Sequence, residues 1–237
     1  MLGRILAVII VILIVLTYVE PFTEPELPNV KVLNPTGTTT LLIIAGMHGN
    51  EPAGTVGLNA WLDRISVVKL VQRQLRIVAI PAANSWGLEN NTRYLRNFWY
   101  RDLNRNFVES GNEPVSQFIV RLIQKYRPTL VIDIHEGWGF HKIEPASIGS
   151  TVTSSSHKMS RNMAETMVKD INGTITDPAK KFTHRDNIAC DIGTTLGCWC
   201  DKSSIPYILI EVTGQKDRQP MNVRVEQVVR LLNTVIA

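Results

Sequence analysis

The chain is poor in cysteine, in charge and in aromatic residues. Three cysteines among 237 residues exclude a disulfide-built scaffold, and the odd count leaves at least one thiol outside any internal pair. Only 19% of residues are charged, 25 Lys+Arg stand against 21 Asp+Glu, and no long basic run occurs. That balance leaves no electrostatic footprint for nucleic acid, so none is expected as a partner. No internal repeat is visible. Hydrophobic residues reach 44%, which suffices for a sizeable core and excludes a disordered or collagen-like chain. The length allows one domain and a small appendage.

Much of the apolar excess sits at the amino terminus. Residues 2–19 are interrupted only by Gly3, Arg4, Thr17 and Tyr18. A run of this length is at the short end for a bilayer span, which takes about 20 apolar residues. No small-x-small cleavage site follows it, which favours a signal-anchor helix over a cleaved signal peptide or a buried core segment. Arg4 and the amino terminus precede the run; Glu20, Glu24 and Glu26 follow it. The positive-inside rule then puts the amino terminus in the cytoplasm and the body outside or in a lumen; cleavage would make the protein secreted. Pro21, Pro25, Pro28 and Pro35 mark an extended linker, with room for one short strand at residues 30–33. The expected organisation is a membrane anchor or signal at 1–20, a linker at 21–35 and a globular domain at 36–237.

Within that domain the apolar runs TTLLIIA (Thr39–Ala45), LRIVAI (Leu75–Ile80), LVIDI (residues 130–134) and IPYILI (residues 205–210) read as buried strands. Helical periodicity predicts helices from Pro52 to about Arg64, over Pro114–Tyr126, over residues 154–171 and over residues 221–237. Met159, Met163, Met167 and Val168 form a stripe best read as core. Strands that are apolar throughout and alternate with helices predict an α/β fold: a mainly parallel sheet with helices on both faces.

Three residues able to do chemistry fall at strand ends. His48 follows the first run, His135 the third and Glu211 the fourth. In an open α/β sheet, ligands bind beyond the carboxyl ends of the strands. Glu51 lies three residues after His48, across a glycine turn and at the start of a helix. Two histidines and one carboxylate with an open fourth position suit a catalytic zinc. Singly, each has a plain structural explanation, such as a hydrogen-bonded turn histidine or a helix-start carboxylate.

The motifs GMHGNEPAG (residues 46–54), RDLNRNF (residues 101–107), DIH (residues 133–135) and ILIEVTG (residues 208–214) occur in this order. Together they resemble the zinc carboxypeptidase clan, including its aspartoacylase and succinylglutamate desuccinylase branch. The resemblance spans roughly residues 40–237. It implies a central mixed eight-stranded sheet flanked by helices, and one zinc per chain. It makes His48, Glu51 and His135 the zinc ligands and Glu211 the general base. It gives Asn104 and Arg105 the substrate carboxylate, and Asp102 the hydrogen bond that fixes the tautomer of His48. These roles suit the residue types. An arginine fork binds a carboxylate bidentately, and a carboxylate beside an activated water can relay its proton. An oxyanion-stabilising arginine is also implied. Arg93 and Arg96 are both candidates, with Arg96 better spaced from Asp102.

The sequence departs from each branch. The carboxypeptidase branch has a mobile tyrosine before the terminal glutamate; Tyr207, inside the predicted strand, reads as a packed aromatic instead. The deacylase branch carries a C-terminal β-domain, whereas 26 residues follow Glu211 here. His184, Arg185 and Asp186 are candidate substrate contacts. Cys190, Cys198 and Cys200 lie close enough for one disulfide if the body is extracytoplasmic. His141 and His157 read as structural or surface residues.

The expected function is zinc-dependent hydrolysis of an amide bond next to a substrate carboxylate. The first reading is a carboxypeptidase acting on peptides. The second is an N-acyl amino-acid deacylase. A third, of another class, is a catalytically inactive carboxylate-binding module.

Overall fold

The apolar runs become the inner strands of a single sheet in the computed structural model, which describes residues 26–96, 102–108, 111, 113–186, 190, 193–215 and 218–237. The strands are β1 (Lys31–Leu33), β2 (Thr39–Ala45), β3 (Leu75–Ile80), β4 (Leu130–Gly137), β5 (Thr151–Ser154), β6 (Thr183–Asp186) and β7 (Tyr207–Thr213). Their order across the sheet is β1-β3-β2-β4-β7-β5-β6. The β2/β3, β2/β4, β4/β7 and β5/β6 pairs are parallel; β1/β3 and β5/β7 are antiparallel. The sheet is therefore mixed and mainly parallel, with seven strands among the described residues where the family resemblance implies eight.

The helices are α1 (Pro52–Arg64), α2 (Val67–Gln72), α3 (Ser85–Glu89), α4 (Pro114–Tyr126), α5 (Lys158–Asn172), α6 (Leu196–Lys202) and α7 (Met221–Val235). Strand periodicity divides them between two layers. Leu41, Ile43 and Ala45 of β2 enter a core closed by Leu58 and Trp61 of α1, Met167 of α5 and Val228 and Leu232 of α7. Leu42 and Ile44 enter the other core, closed by Val115 and Ile119 of α4 and Leu196 of α6. A side chain of this size, fully buried, contributes roughly 1.5–3 kcal/mol over exposure, so β2 holds both layers at once. Met159, Met163 and Val168 pack with Met167 in the first core, as their spacing predicts.

Several boundaries differ from the sequence reading. β4 runs on to Gly137 and β7 to Thr213, because their ladder continues through His135↔Glu211 to Gly137↔Thr213. His135 and Glu211 thus sit inside the strands rather than just beyond them. Ser154 ends β5, and the helix expected from 154 starts at Lys158, with the His157 side chain accepting from Met159 N–H. The short strand for which residues 30–33 leave room is β1, and it pairs with β3. Among the described residues no helix is long and apolar enough to cross a membrane. The expected anchor at residues 1–20 lies outside the described residues.

Candidate functional site

The turn GMHGNE leaves β2 and enters α1 with little freedom. Gly49 lies against the Gly87 backbone of α3, where a Cβ would overlap the peptide. Glu51 N–H donates to the His48 carbonyl at 3.2 Å, closing the turn. Pro52 at the first helical position keeps Glu51 out of helical geometry, with φ −122° and ψ 60°. His48 and Glu51 are thereby brought to one side of the turn. β4, the neighbour of β2, supplies His135.

The three side chains are buried and converge. His48 Nδ1 lies 3.0 Å from Glu51 Oε1, His135 Nδ1 lies 2.9 Å from Glu51 Oε2, and the two Nδ1 atoms are 3.1 Å apart. Donor atoms at the corners of a tetrahedral site with bonds of about 2.0–2.1 Å lie about 3.3 Å from one another. The residues therefore fit a single metal ion. The distal nitrogens face carboxylates: His48 Nε2 is 3.0 Å from Asp102 Oδ1, and His135 Nε2 is 3.1 Å from Asp133 Oδ2. The first contact is a directed hydrogen bond; the second has ion-pair distance without hydrogen-bond alignment. Carboxylates there place the ring proton on Nε2 and turn the Nδ1 lone pair inward. Asp133 Oδ2 also accepts from Tyr207 O–H at 3.0 Å, so Tyr207 is a packed, bonded strand residue that also reaches the cavity wall.

The electrostatics match a site built for a cation. Burial opposes the charge on Glu51, but His48 and His135 outweigh it and hold its carboxyl far below the usual range. Burial also opposes the charge on His135, yet Asp133 and Glu51 raise its pKa well above the ordinary histidine value. Asp102 is drawn far down against its own burial, by the His48 hydrogen bond and by Arg93 and Arg105. Glu211 is buried, and its pKa is pushed well up by that burial, with Glu51 and Asp133 adding to it and His135 and Arg93 opposing.

A cavity of about 470 Å³ opens over these residues. Glu211, paired in register with His135, reaches it from β7, and Asn104 and Arg105 from the 3-10 turn Leu103–Arg105. Asn104 Oδ1 accepts from Leu196 N–H at 2.9 Å, which ties this turn to α6. Arg93 also lines the cavity. Its Nε and Nη2 lie 2.9 Å from Asp102 Oδ2, and its Nη1 lies 3.2 Å from His48 Nδ1. Arg96, favoured by spacing, is exposed and outside the cavity lining. The difference in placement has a local cause. Thr92 N–H donates to the Gly87 carbonyl and Asn84 Nδ2 to the Tyr94 carbonyl, folding the loop back over α3 and turning Arg93 inward.

The candidates on β6 divide by strand alternation. Arg185 lines the cavity, whereas His184 contacts Ser154 Oγ at 3.0 Å and Asp186 pairs with Arg161. A disulfide joins Cys190 to Cys198, and Cys200 is buried and free. His141 Nδ1 is 2.7 Å from the Ser147 carbonyl oxygen, a structural contact. The sequence reading assigned no role to Asp133, Glu136 or Gln215. Asp133 was visible as the DIH motif, two residues from a ligand on the same strand face. Gln215 had no periodic or spacing signal.

The sheet brings the converged triad and Glu211 to one cavity, where the triad could hold a metal ion. The chain belongs to the succinylglutamate desuccinylase/aspartoacylase catalytic-domain family, whose sequence signature matches residues 37–170. No curated protein sequence matches it. Among solved structures, the apo form of the cell shape determinant Csd4 from Helicobacter pylori is similar, at 19% identity and a TM-score of 0.71, over 88% of this chain and 53% of that one. Its mDAP-bound form, described as a D,L-carboxypeptidase, gives 18% identity and a TM-score of 0.69, over 83% of this chain and 50% of the other. A Shewanella amazonensis protein, proposed to be a metallopeptidase, gives 16% identity and a TM-score of 0.67, over 87% and 80%. At these identities the likeness is one of fold. The chain spans about half the length of Csd4.

Proposed function

We propose that this protein is a zinc-dependent hydrolase that cleaves an amide bond next to a free carboxylate, acting on peptides as a carboxypeptidase. The observation that carries the reading is the convergence of His48, Glu51 and His135 in a cavity shared with Glu211 and Arg105. Structures of Csd4 with a tripeptide and with mDAP support a peptide substrate. The family match itself favours the second reading, an N-acyl amino-acid deacylase.

His48, Glu51 and His135 would hold one zinc per chain, which when bound supplies Lewis-acid polarisation of the scissile carbonyl and a water of lowered pKa. Glu211 accepts the proton of the attacking water on its carboxylate and returns it to the leaving amine nitrogen. Arg93 donates to the carbonyl oxygen as negative charge builds there. Arg105, with Asn104, binds the substrate carboxylate and sets the scissile bond over the triad. Asp102 and Asp133 keep the protons of His48 and His135 on Nε2.

The zinc-loaded protein, offered peptides and N-acyl amino acids, is expected to release C-terminal amino acids faster than it removes acyl groups. Preference for the acyl substrates would favour the deacylase; cleavage of neither would leave the carboxylate-binding module. Arg185 adds a second positive seat, so each class is best tested with and without a second carboxylate. Arg105→Lys keeps the charge and loses the fork. A charged hydrogen bond is worth about 1.5–3 kcal/mol, so KM should rise by about tenfold or more while kcat changes less. An unchanged KM would move the carboxylate seat elsewhere.

On sequence grounds alone, residues 2–19 anchor the chain in a membrane. The full chain should fractionate with membranes and a chain lacking residues 1–28 should not; co-fractionation of the shortened chain would remove the anchor from the account.

A further inference from the structure

Gln215 lies on the cavity wall, one residue beyond Gly214 at the end of β7, and the scheme above gives it no part. Its Nε2 is 3.0 Å from Glu51 Oε1 and 2.6 Å from the backbone oxygen of Glu136. An ionised carboxylate and a carbonyl are acceptors only, so the amide nitrogen must face them and both of its hydrogens are engaged. We infer that Gln215 is a positioning residue that clamps the Glu51 carboxylate in its metal-binding orientation. The inference rests on the metal reading above and adds a residue to it.

The donors around Glu51 carry the argument. Oε1 is approached by His48 Nδ1 at 3.0 Å and by Gln215; Oε2 is approached by His135 Nδ1 at 2.9 Å and by Glu136 N–H at 3.1 Å. Arg93 Nη1 reaches Oε1 only at 3.4 Å. A metal ion takes the Nδ1 lone pairs of both histidines, and neither ring can then donate to Glu51. What remains is the Glu136 N–H on Oε2 and, on Oε1, the Gln215 amide at 3.0 Å with the longer Arg93 contact at 3.4 Å beside it. The terminal torsion of a glutamate is broad and roughly two-fold, so the carboxylate plane is free unless its oxygens are held. Losing Gln215 leaves Oε1 with the longer Arg93 contact alone.

The clamp is built from parts far apart in sequence. Glu51 precedes α1, Glu136 lies on β4, and Gln215 follows Glu51 by 164 residues. The Glu136 carboxylate is itself fixed, accepting from Ala53 N–H and from Arg224 Nη1, each at 2.6 Å. Gly214 is required for the approach, because a Cβ there would overlap Glu136 Oε2 and the Arg224 side chain. The end of β7, which leads into Gln215, is thus locked to the start of α1, which Glu51 precedes.

The test is the zinc dissociation constant of the purified full chain, by competition with a chromophoric chelator, beside the melting temperature of the metal-free protein. Gln215→Met keeps the length and removes both donors. Loss of a hydrogen-bond partner of a metal ligand weakens metal affinity by about 10–100-fold, and that loss is expected with metal-free melting unchanged. Gln215→Glu, with an acceptor in place of the donor, should weaken zinc at least as much. A Gln215→Met dissociation constant equal to that of the wild type overturns the inference. Weaker binding with a matching loss of metal-free stability also overturns it, since Gln215 would then be a packing residue. A wild-type protein that binds no zinc overturns the metal reading itself, and the clamp with it.

Discussion

Glu211→Gln is expected to lower the turnover of the metal-loaded protein by about 10²–10⁴-fold, the usual worth of a general base, and to leave its metal content unchanged. The amide has the shape of the carboxylate and keeps hydrogen-bonding capacity, but it cannot take a proton from water. Glu211 is placed for that proposed transfer by its strand: it pairs in register with His135, so the proposed base and ligand lie side by side on β7 and β4. Its burial and the nearby Glu51 and Asp133 carboxylates raise its proton affinity, the property a base needs. It is not one of the three converging ligands, so metal should stay. Steady-state kinetics beside metal analysis by mass spectrometry makes the check. Near wild-type turnover in Glu211→Gln would take this residue out of the mechanism, whichever substrate class applies.

His135→Ala is expected to strip the metal, from one ion per chain to almost none. Loss of a partner behind a ligand costs about 10–100-fold in affinity, and loss of a ligand should cost more. The cavity left by the ring also frees Glu51 Oε2 from a contact at 2.9 Å. The pH dependence of binding in the wild type has a definite sign. Asp133 and Glu51 raise the pKa of His135 in the metal-free protein despite its burial, so a proton must leave before the ring can ligate. Affinity should therefore rise with pH through the titration of His135. Full metal occupancy in His135→Ala, or affinity that falls as pH rises, contradicts the assignment.

The strength of the sequence reading lay in residues whose position follows from covalent neighbours. His48 and Glu51 share one turn, so GMHGNE nearly fixes their relation. TTLLIIA announces a strand buried on both faces, because only such a strand has no polar side. The reading failed where tertiary pairing overrides local composition. TVTS of β5 and THRD of β6 are polar, yet pairing with β7 and with each other makes them strands, all four residues of β5 being buried. His135 and Glu211 were expected after their strands because charge seemed to end the apolar runs. The ladder continues regardless, since its hydrogen bonds are made by backbone. Arg93 and Arg96 could not be separated by counting residues, because a loop's contour length does not fix which side chain turns inward. Gln215 left no trace in periodicity; its role depends on two acceptors from elements 79 and 164 residues away.

This cavity is proposed to hydrolyse an amide beside a carboxylate with the help of a metal ion. Its most direct test is release of free amino groups from carboxylate-bearing peptides and N-acyl amino acids by the purified protein, before chelation, after it, and after zinc is restored. One new amino group per bond cleaved, loss of activity on chelation and recovery with zinc are expected. Activity that survives complete metal removal, or its absence on every such substrate in the zinc-loaded protein, would contradict it.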